Sequence, residues 1–266
     1  MRTLDVCPLL LLVCLLLPSR ALAAPPDTVF VARAARIGAQ AYPYRVYVPP
    51  GFDAAKRWPV VLFLHGSGER GSDGERQVKI GLGPAIRRNP GRFPLLAVFP
   101  QAPDDSSWLG EPGRAALAAL DSAMAEFSGD PARVYLTGLS MGGYGCWHLA
   151  WEDTTRWAAV VSVCGGLVPP DDKHSVRLAP ELMAADDPYA AVAARVAALP
   201  AWLFHGARDP IIPVGESRRI VAALQARAAD VKYTEYAAAG HDCWDRAFGE
   251  EDLWTWLLGK RREAAK

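Results

Sequence analysis

Short apolar runs alternate with helix-like segments from about residue 58 onward, and this alternation most constrains the fold. The runs are Trp58–His65, Leu95–Pro100, Arg133–Gly138, Ala158–Gly165, Ala201–Gly206 and Val231–Tyr236. They are rich in β-branched and aromatic residues, which is typical of strands buried on both faces of a parallel sheet. Between them, Ala-rich segments with helical spacing predict helices over Arg114–Phe127, Tyr144–Trp151, Tyr189–Leu199, Glu216–Ala228 and Glu250–Arg261. This order predicts an α/β fold with helices on both faces of the sheet.

Two regions lie outside this alternation. Around Thr28–Ile37 and Tyr42–Val48 the residues alternate in polarity, which predicts an antiparallel edge to the sheet. Gly165–Pro188 is irregular and rich in Pro and Asp. A lid over a site and a plain surface loop both fit such an excursion.

The amino terminus reads as a secretory signal peptide. Met1 and Arg2 are followed by the apolar stretch Pro8–Pro18 and by a small-x-small ending at Ala23. The apolar stretch is too short to span a bilayer. We expect cleavage after Ala23, export to the periplasm or the medium, and one catalytic domain over residues 24–266.

Charge and cysteine content narrow the possible partners. Lys and Arg together number 29, as do Asp and Glu, so the formal net charge is zero. A neutral chain without a basic stripe argues against nucleic acid or an anionic membrane as a partner.

Without the leader, Cys146, Cys164 and Cys243 remain, and no Cys/His spacing indicates a metal site. A Cys164–Cys243 disulfide and buried free thiols are both consistent with this pattern.

The segment Gly138-Leu139-Ser140-Met141-Gly142 follows one predicted strand and opens a helix. In that context G-x-S-x-G predicts a nucleophile elbow, where glycines make room for a strained serine backbone. Ser140 would then project its hydroxyl at the carboxyl ends of the strands, where open α/β sheets place ligands. An ordinary turn is the alternative, but the glycines on both sides and the strand-to-helix position favour a nucleophile, so we predict that Ser140 is one.

A serine nucleophile needs a base, and the base needs an acid. Of the five histidines, only His241 combines a loop position with a place after the last core strand. His65 and His205 end strands and are expected to be structural; His148 should be packed or at the surface, and His174 solvated. Asp209 follows the penultimate strand, and Asp186, Asp187 and Asp242 are less well placed. The chain order Ser140, Asp209, His241 is that of an α/β hydrolase.

An oxyanion intermediate also needs donors. We predict one at the backbone N–H of Met141, directly after the serine, and a second at Ser67 in the Gly-rich loop Leu64–Gly71. For substrate contacts we propose Trp108, in the loop after the fourth strand, and Trp244, three residues after His241; ordinary packing is the alternative for both.

These motifs together resemble the α/β-hydrolase superfamily. More narrowly, the chain is similar to its secreted esterase-like branch of predicted peptidases and phospholipase/carboxylesterases, near feruloyl esterases and polyhydroxybutyrate depolymerases. The resemblance covers roughly residues 45–258. It implies a mostly parallel eight-stranded sheet, no cofactor, and hydrolysis through an acyl-enzyme with Ser140, Asp209 and His241 as the triad.

Several functions remain open on the sequence. The expected function is a secreted carboxylesterase acting on small-molecule esters. A serine peptidase would use the same residues, although we expect no propeller or other gating domain. An acyltransferase would need a drier site. A non-catalytic binding protein with this fold would be expected to lack a triad member, and Ser140, Asp209 and His241 are all present.

Overall fold

The computed structural model describes residues 29–170, 176 and 179–262, without the side chain of Met183. The predicted signal peptide (residues 1–23) and His174 lie outside these residues, as does part of the irregular segment after residue 165. No helix in the described ranges has both the length and the apolar character needed to cross a bilayer.

Eight strands form one sheet in the order β1-β2-β4-β3-β5-β6-β7-β8. Their bounds are β1 Phe30–Ile37, β2 Gln40–Tyr47, β3 Trp58–Leu64, β4 Leu96–Pro100, β5 Gly129–Leu139, β6 Ala159–Val163, β7 Ala201–Gly206 and β8 Val231–Tyr236. β2 pairs antiparallel with β1 and β4, and the other pairs are parallel. The predicted mostly parallel sheet with an antiparallel edge is therefore confirmed.

The helices lie in two layers. Their bounds are α1 Leu82–Arg88, α2 Glu111–Glu126, α3 Met141–Glu152, α4 Pro180–Met183, α5 Pro188–Val196, α6 Gly215–Gln225, α7 Trp244–Gly249 and α8 Glu251–Leu258. Buried residues of α2, α3, α5 and α6 share one apolar cluster, and those of α1, α7 and α8 share another. Strand β3 feeds both clusters, since Val60, Leu62 and Leu64 face the first and Val61 and Phe63 face the second. This alternation is the two-residue period of a strand covered on both faces.

The parallel strands carry their following loops to one edge of the sheet. Loops after β3, β5, β7 and β8 contain the Gly-rich segment, Ser140, Asp209 and His241 respectively. The chain positions singled out by motif are thus brought to the carboxyl ends of neighbouring strands.

The three cysteines in the described part of the chain are unbridged. Cys146, Cys164 and Cys243 are buried free thiols. The Cys164 and Cys243 thiols are hydrogen-bonded neighbours, and burial, followed by this contact, raises the pKa of the Cys164 thiol.

Candidate active site

Ser140 occupies a strained turn between β5 and α3. Its φ is 52° and its ψ is −119°, a conformation that L residues rarely adopt. Its N–H donates to the carbonyl of Val163 in β6 at 2.9 Å, which fixes the turn against the sheet. Ser140 as a whole is half-buried, in contrast to the buried residues on both sides of it.

Close packing at the turn requires glycine on both sides of Ser140. A Cβ on Gly142 would lie 1.9 Å from the carbonyl oxygen of Leu64, and one on Gly138 would lie 2.4 Å from the carbonyl oxygen of Gly142. Neither approach is sterically possible without moving backbone. The glycines therefore let α3 begin directly against the end of β3.

Ser140, His241 and Asp209 form one hydrogen-bonded chain. The Nε2 atom of His241 is 2.9 Å from Ser140 Oγ, and its Nδ1 atom is 2.7 Å from Asp209 Oδ2. The His241 side chain is 18% exposed and that of Asp209 is fully covered. Because Asp209 accepts at Nδ1, that nitrogen carries the ring proton and Nε2 is free to accept from the serine hydroxyl.

Asp209 is held as a carboxylate. Burial raises its pKa, but hydrogen bonds from His205 and His241, and then from the amides of Ile212 and Ile211, outweigh it and set the pKa below the usual range. The two amides reach Oδ1 at 2.9 and 2.8 Å, while both histidines reach Oδ2. All four bonds favour the ionised form.

The loop after β3 lies directly beside Ser140. A Cβ built on Gly66 would be 3.5 Å from the Cβ of Ser140. Ser67 begins a short 3-10 helix, Ser67–Glu69, and Met141 begins α3. First positions of helices have N–H groups without an intrahelical partner. Both residues whose amides are predicted to stabilise an oxyanion thus begin helices, and their N–H groups have no intrahelical partner.

His65 holds this loop in place. Its Nδ1–H donates to the carbonyl of Gly66 at 2.6 Å, and its Nε2 accepts from the N–H of Ala102 at 3.0 Å. Burial lowers the pKa of His65 to about 4, so the ring is neutral at physiological pH. The structural role expected for His65 is therefore specific: it joins the loop after β3 to the loop after β4.

Gln101 adds to this connection and was not singled out by the sequence. Its side chain accepts from Gly74 N–H at 2.7 Å and donates to the carbonyl of Glu69 at 3.1 Å. A polar residue directly after an apolar strand is the signal that could have identified it. The loop after β4 thus stabilises the Gly-rich loop after β3, which contains Ser67.

The side chain of Trp108 is buried and does not face a ligand. The side chain is 2% exposed, its indole N–H donates to the carbonyl of His65 at 3.0 Å, and its ring packs edge-on against the His65 ring. The expected substrate contact at Trp108 is therefore corrected to a packing role, because the loop after β4 folds inward. Trp244 remains half-buried, with its ring 5.6 Å from that of His241.

The described part of the irregular segment is anchored at both ends. Glu216 of α6, 3% exposed, accepts the N–H groups of Leu167 and Val168 at 3.1 and 2.9 Å. Asp187 caps α5 through the amides of Tyr189 and Ala190. Asp187 is thus a helix cap, and its carboxylate is committed to those amides rather than to the triad.

Within the described residues, no group of three or more His, Cys, Asp or Glu side chains is arranged to hold a metal ion. The chemistry available at the site is that of a serine hydroxyl, an imidazole and a carboxylate.

Comparison with known proteins places this arrangement in a family. Residues 113–258, which include Ser140, Asp209 and His241, match the model of the prolyl oligopeptidase family. The comparison with curated proteins gives no match.

Solved structures share the fold. A thermostable esterase aligns with a TM-score of 0.74 and 28% identity, over 88% of this chain and 64% of that one. A ferulic acid esterase aligns with a TM-score of 0.65 and 17% identity, over 86% and 97%. An acylaminoacyl peptidase from Pyrococcus horikoshii aligns with a TM-score of 0.66 and 15% identity, over 90% and 43%. The chain thus spans less than two thirds of the thermostable esterase and of the acylaminoacyl peptidase.

The chain belongs to the prolyl oligopeptidase family. It has the fold of the α/β-hydrolase superfamily, and the solved structures it resembles include esterases and a peptidase.

Proposed function

We propose that this family member hydrolyses carboxylic esters through an acyl-enzyme formed on Ser140. The observation that carries the proposal is the hydrogen-bonded chain from Ser140 Oγ through the His241 ring to Asp209, with distances of 2.9 and 2.7 Å. In that chain Ser140 is the nucleophile, His241 the general base and Asp209 the acid that fixes the imidazole tautomer.

The reaction proceeds in two halves. Ser140 Oγ attacks the ester carbonyl carbon while His241 Nε2 takes its proton, and the carbonyl oxygen becomes an oxyanion. Collapse of this intermediate breaks the bond to the alcohol, which leaves with the proton from His241. Water then attacks the acyl-enzyme with His241 again as base, and the carboxylic acid is released with Ser140 restored.

The oxyanion is stabilised by backbone donors. The Met141 N–H at the start of α3 and the Ser67 N–H across the site are the proposed pair. Loss of one such donor typically costs about 10² to 10³ in kcat. The bracing of the loop by His65 and Gln101 supports this proposal, since a preorganised donor needs no rearrangement during the reaction.

Cleavage of small peptides is the second candidate. It is favoured by the match to the prolyl oligopeptidase family and by the likeness to an acylaminoacyl peptidase. We place the ester first because the esterase shares 28% identity with this chain and the peptidase 15%. Retention of the fold for binding alone would leave the hydrogen-bonded chain without a purpose.

Export is part of the proposal. The leader-like residues 1–23 motivate it, and the amino-terminal sequence of protein recovered outside the cytoplasm tests it. A start at Ala24 supports cleavage after Ala23, whereas an intact Met1 in the exported fraction or full retention in the cytoplasm contradicts it.

To test the function, protein comprising residues 24–266 is assayed with the acetyl, butyryl, octanoyl and feruloyl esters of p-nitrophenol. Acetylated amino-acid and dipeptide p-nitroanilides are assayed beside them as peptidase substrates. Ser140→Ala is measured in parallel, with a thermal melt to show that it folds. Serine-dependent release from the esters with little from the anilides supports the esterase. The reverse preference would move the assignment to the peptidase, and no turnover by folded protein would contradict both.

A further inference from the structure

Asp209 contacts a second histidine besides His241. His205, the fifth residue of β7, is fully buried. Its Nε2 atom is 3.1 Å from Asp209 Oδ2 and 3.0 Å from the carbonyl oxygen of Ile212, and its Nδ1 atom is 2.7 Å from Ser217 Oγ in α6. Every ring nitrogen therefore has a partner, and one of those partners is the proposed catalytic acid.

These contacts determine which ring nitrogen carries the proton. A carboxylate and a carbonyl both face Nε2, and both can only accept, so Nε2 must be the donor. The Ser217 hydroxyl can donate to Nδ1, which lets a neutral ring satisfy all three contacts. A neutral ring avoids the cost of burying an unbalanced cation.

We propose that His205, oriented by Ser217, is a positioning residue for the catalytic acid. Its Nε2–H donates to both the Asp209 carboxylate and the Ile212 carbonyl and so ties them to the end of β7. Asp209 Oδ2 therefore accepts from His205 and from His241 at the same time. This inference rests on the proposed function, because Asp209 matters to the reaction only if His241 is its base.

The two histidines bond to the same oxygen. Oδ1 is bonded to the amides of Ile211 and Ile212, so without the His205 N–H the carboxylate stays attached to its loop but is free to turn about Oδ1. Oδ2 then offers its charge to His241 alone, and the His241 imidazolium is better stabilised. The titration of His241 therefore moves to higher pH in the absence of the His205 N–H.

Other ionisable groups face this cluster from each neighbouring element. Tyr144 of α3 and the Cys164 thiol at the end of β6 both lie within electrostatic range of Asp209. Cys243 lies beside Cys164, and Glu235 of β8 pairs with His205 in strand register. Burial raises the pKa of Tyr144 and of Cys164, so both are neutral near pH 7; the carboxylate of Glu235 is committed to Arg218.

The variants separate hydrogen bonding from packing. His205→Phe keeps an aromatic ring and removes the donor, whereas His205→Gln can place an amide N–H near the position of Nε2. Ser217→Ala removes the hydroxyl that orients the ring. Thr137→Val is the matched control, since Thr137 is a buried hydroxyl in β5 that makes no hydrogen bond in the described structure.

Two readouts are measured on the full mature chain. The first is the pH profile of kcat/KM for the preferred ester. The second is NMR of 15N-labelled histidine, which follows the tautomer of His205 and the titration of His241 whether or not any substrate is turned over. A failed proposed function shows itself as wild-type protein without turnover, and the NMR readout still tests the contact.

We expect His205 of the wild type to be protonated at Nε2. His205→Phe should shift the His241 titration and the acid limb of the profile to higher pH and reduce kcat/KM by up to about 10²-fold. His205→Gln should return both toward the wild type, Ser217→Ala should give a smaller loss, and Thr137→Val none.

A wild-type His205 protonated only at Nδ1 would overturn the proposal. So would a folded His205→Phe with an unchanged His241 titration, or with a profile no different from that of His205→Gln. If His205→Phe does not fold, the proposal is tested by the tautomer of His205 in the wild type and by the pH profile of Ser217→Ala. A Ser217→Ala profile identical to that of Thr137→Val would then count against the proposal.

Discussion

Asp209→Asn should nearly abolish hydrolysis while leaving the fold intact. The Oδ1 atom accepts two amides at 2.8 and 2.9 Å, so an asparagine keeps its oxygen there and turns its NH2 group toward the histidines. That group cannot accept from the His241 Nδ1–H. The ring must take the opposite tautomer, with its proton on Nε2 facing Ser140, and it no longer acts as a base.

The expected loss follows from this tautomer change. A substitution of this kind in a Ser-His-Asp triad lowers kcat by about 10⁴. That factor corresponds to about 5 kcal/mol of transition-state stabilisation. The assay is kcat for the preferred p-nitrophenyl ester near pH 8, with circular dichroism to compare the fold.

The chain offers a matched control for this substitution. Asp187 Oδ1 also accepts two backbone amides, at 2.9 and 3.0 Å, but caps α5. Asn serves as well as Asp at a helix N-cap, so Asp187→Asn should change kcat little. An Asp209→Asn variant within tenfold of the wild type, or no slower than Asp187→Asn, would refute the tautomer argument.

The remaining predictions concern stability. His65 has a folded pKa lowered by burial from 6.5 to about 4, so the unfolded chain binds an extra proton between these values and the free energy of unfolding rises with pH across that window. The rise is about 3 kcal/mol, and urea unfolding at several pH values should show it flattened in His65→Gln. Gly142→Ala would place a Cβ 1.9 Å from a β3 carbonyl oxygen and should lower the free energy of unfolding by several kcal/mol in the same assay. Gly215→Ala, where a Cβ meets nothing within 4 Å, should not lower it, and equal free energies of unfolding for the two variants would contradict the packing argument. Trp108→Phe should cost about 1 kcal/mol for the lost hydrogen bond and leave the order of preferred acyl chains unchanged, and a changed order would return Trp108 to the substrate site.

The sequence predicted most of the sheet because the parallel strands are buried on both faces. Runs such as Ala201–Gly206 and Val231–Tyr236 coincide with β7 and β8 at both ends. By contrast, β5 begins at Gly129, earlier than predicted. Asp130 and Pro131 read as turn residues, and they lie in the irregular stretch between the pairs Gly129–Trp58 and Val134–Val60. Short helices such as α1, with Gly83 and Pro84 in its first turn, carry too weak a period to be identified.

The site divides in the same way. Chain order and loop position were enough to single out Ser140, Asp209 and His241, which the structure brings within hydrogen-bonding distance. The inward fold of Trp108 could not be predicted, since a loop tryptophan reads equally as a ligand platform or as core. The contact of His205 with Asp209 was not predicted, because a histidine at a strand end is typical of a structural role; its place four residues before the acid is the signal that could have indicated it.

In the proposed mechanism an acyl group is transferred to Ser140. The most direct measurement is intact-protein and peptide mass spectrometry after rapid acid quenching of mature protein with a p-nitrophenyl ester. We predict one acyl group per chain, located on Ser140 and absent from Ser140→Ala. Turnover that persists in Ser140→Ala, or an acyl group found on another residue in the wild type, would contradict it.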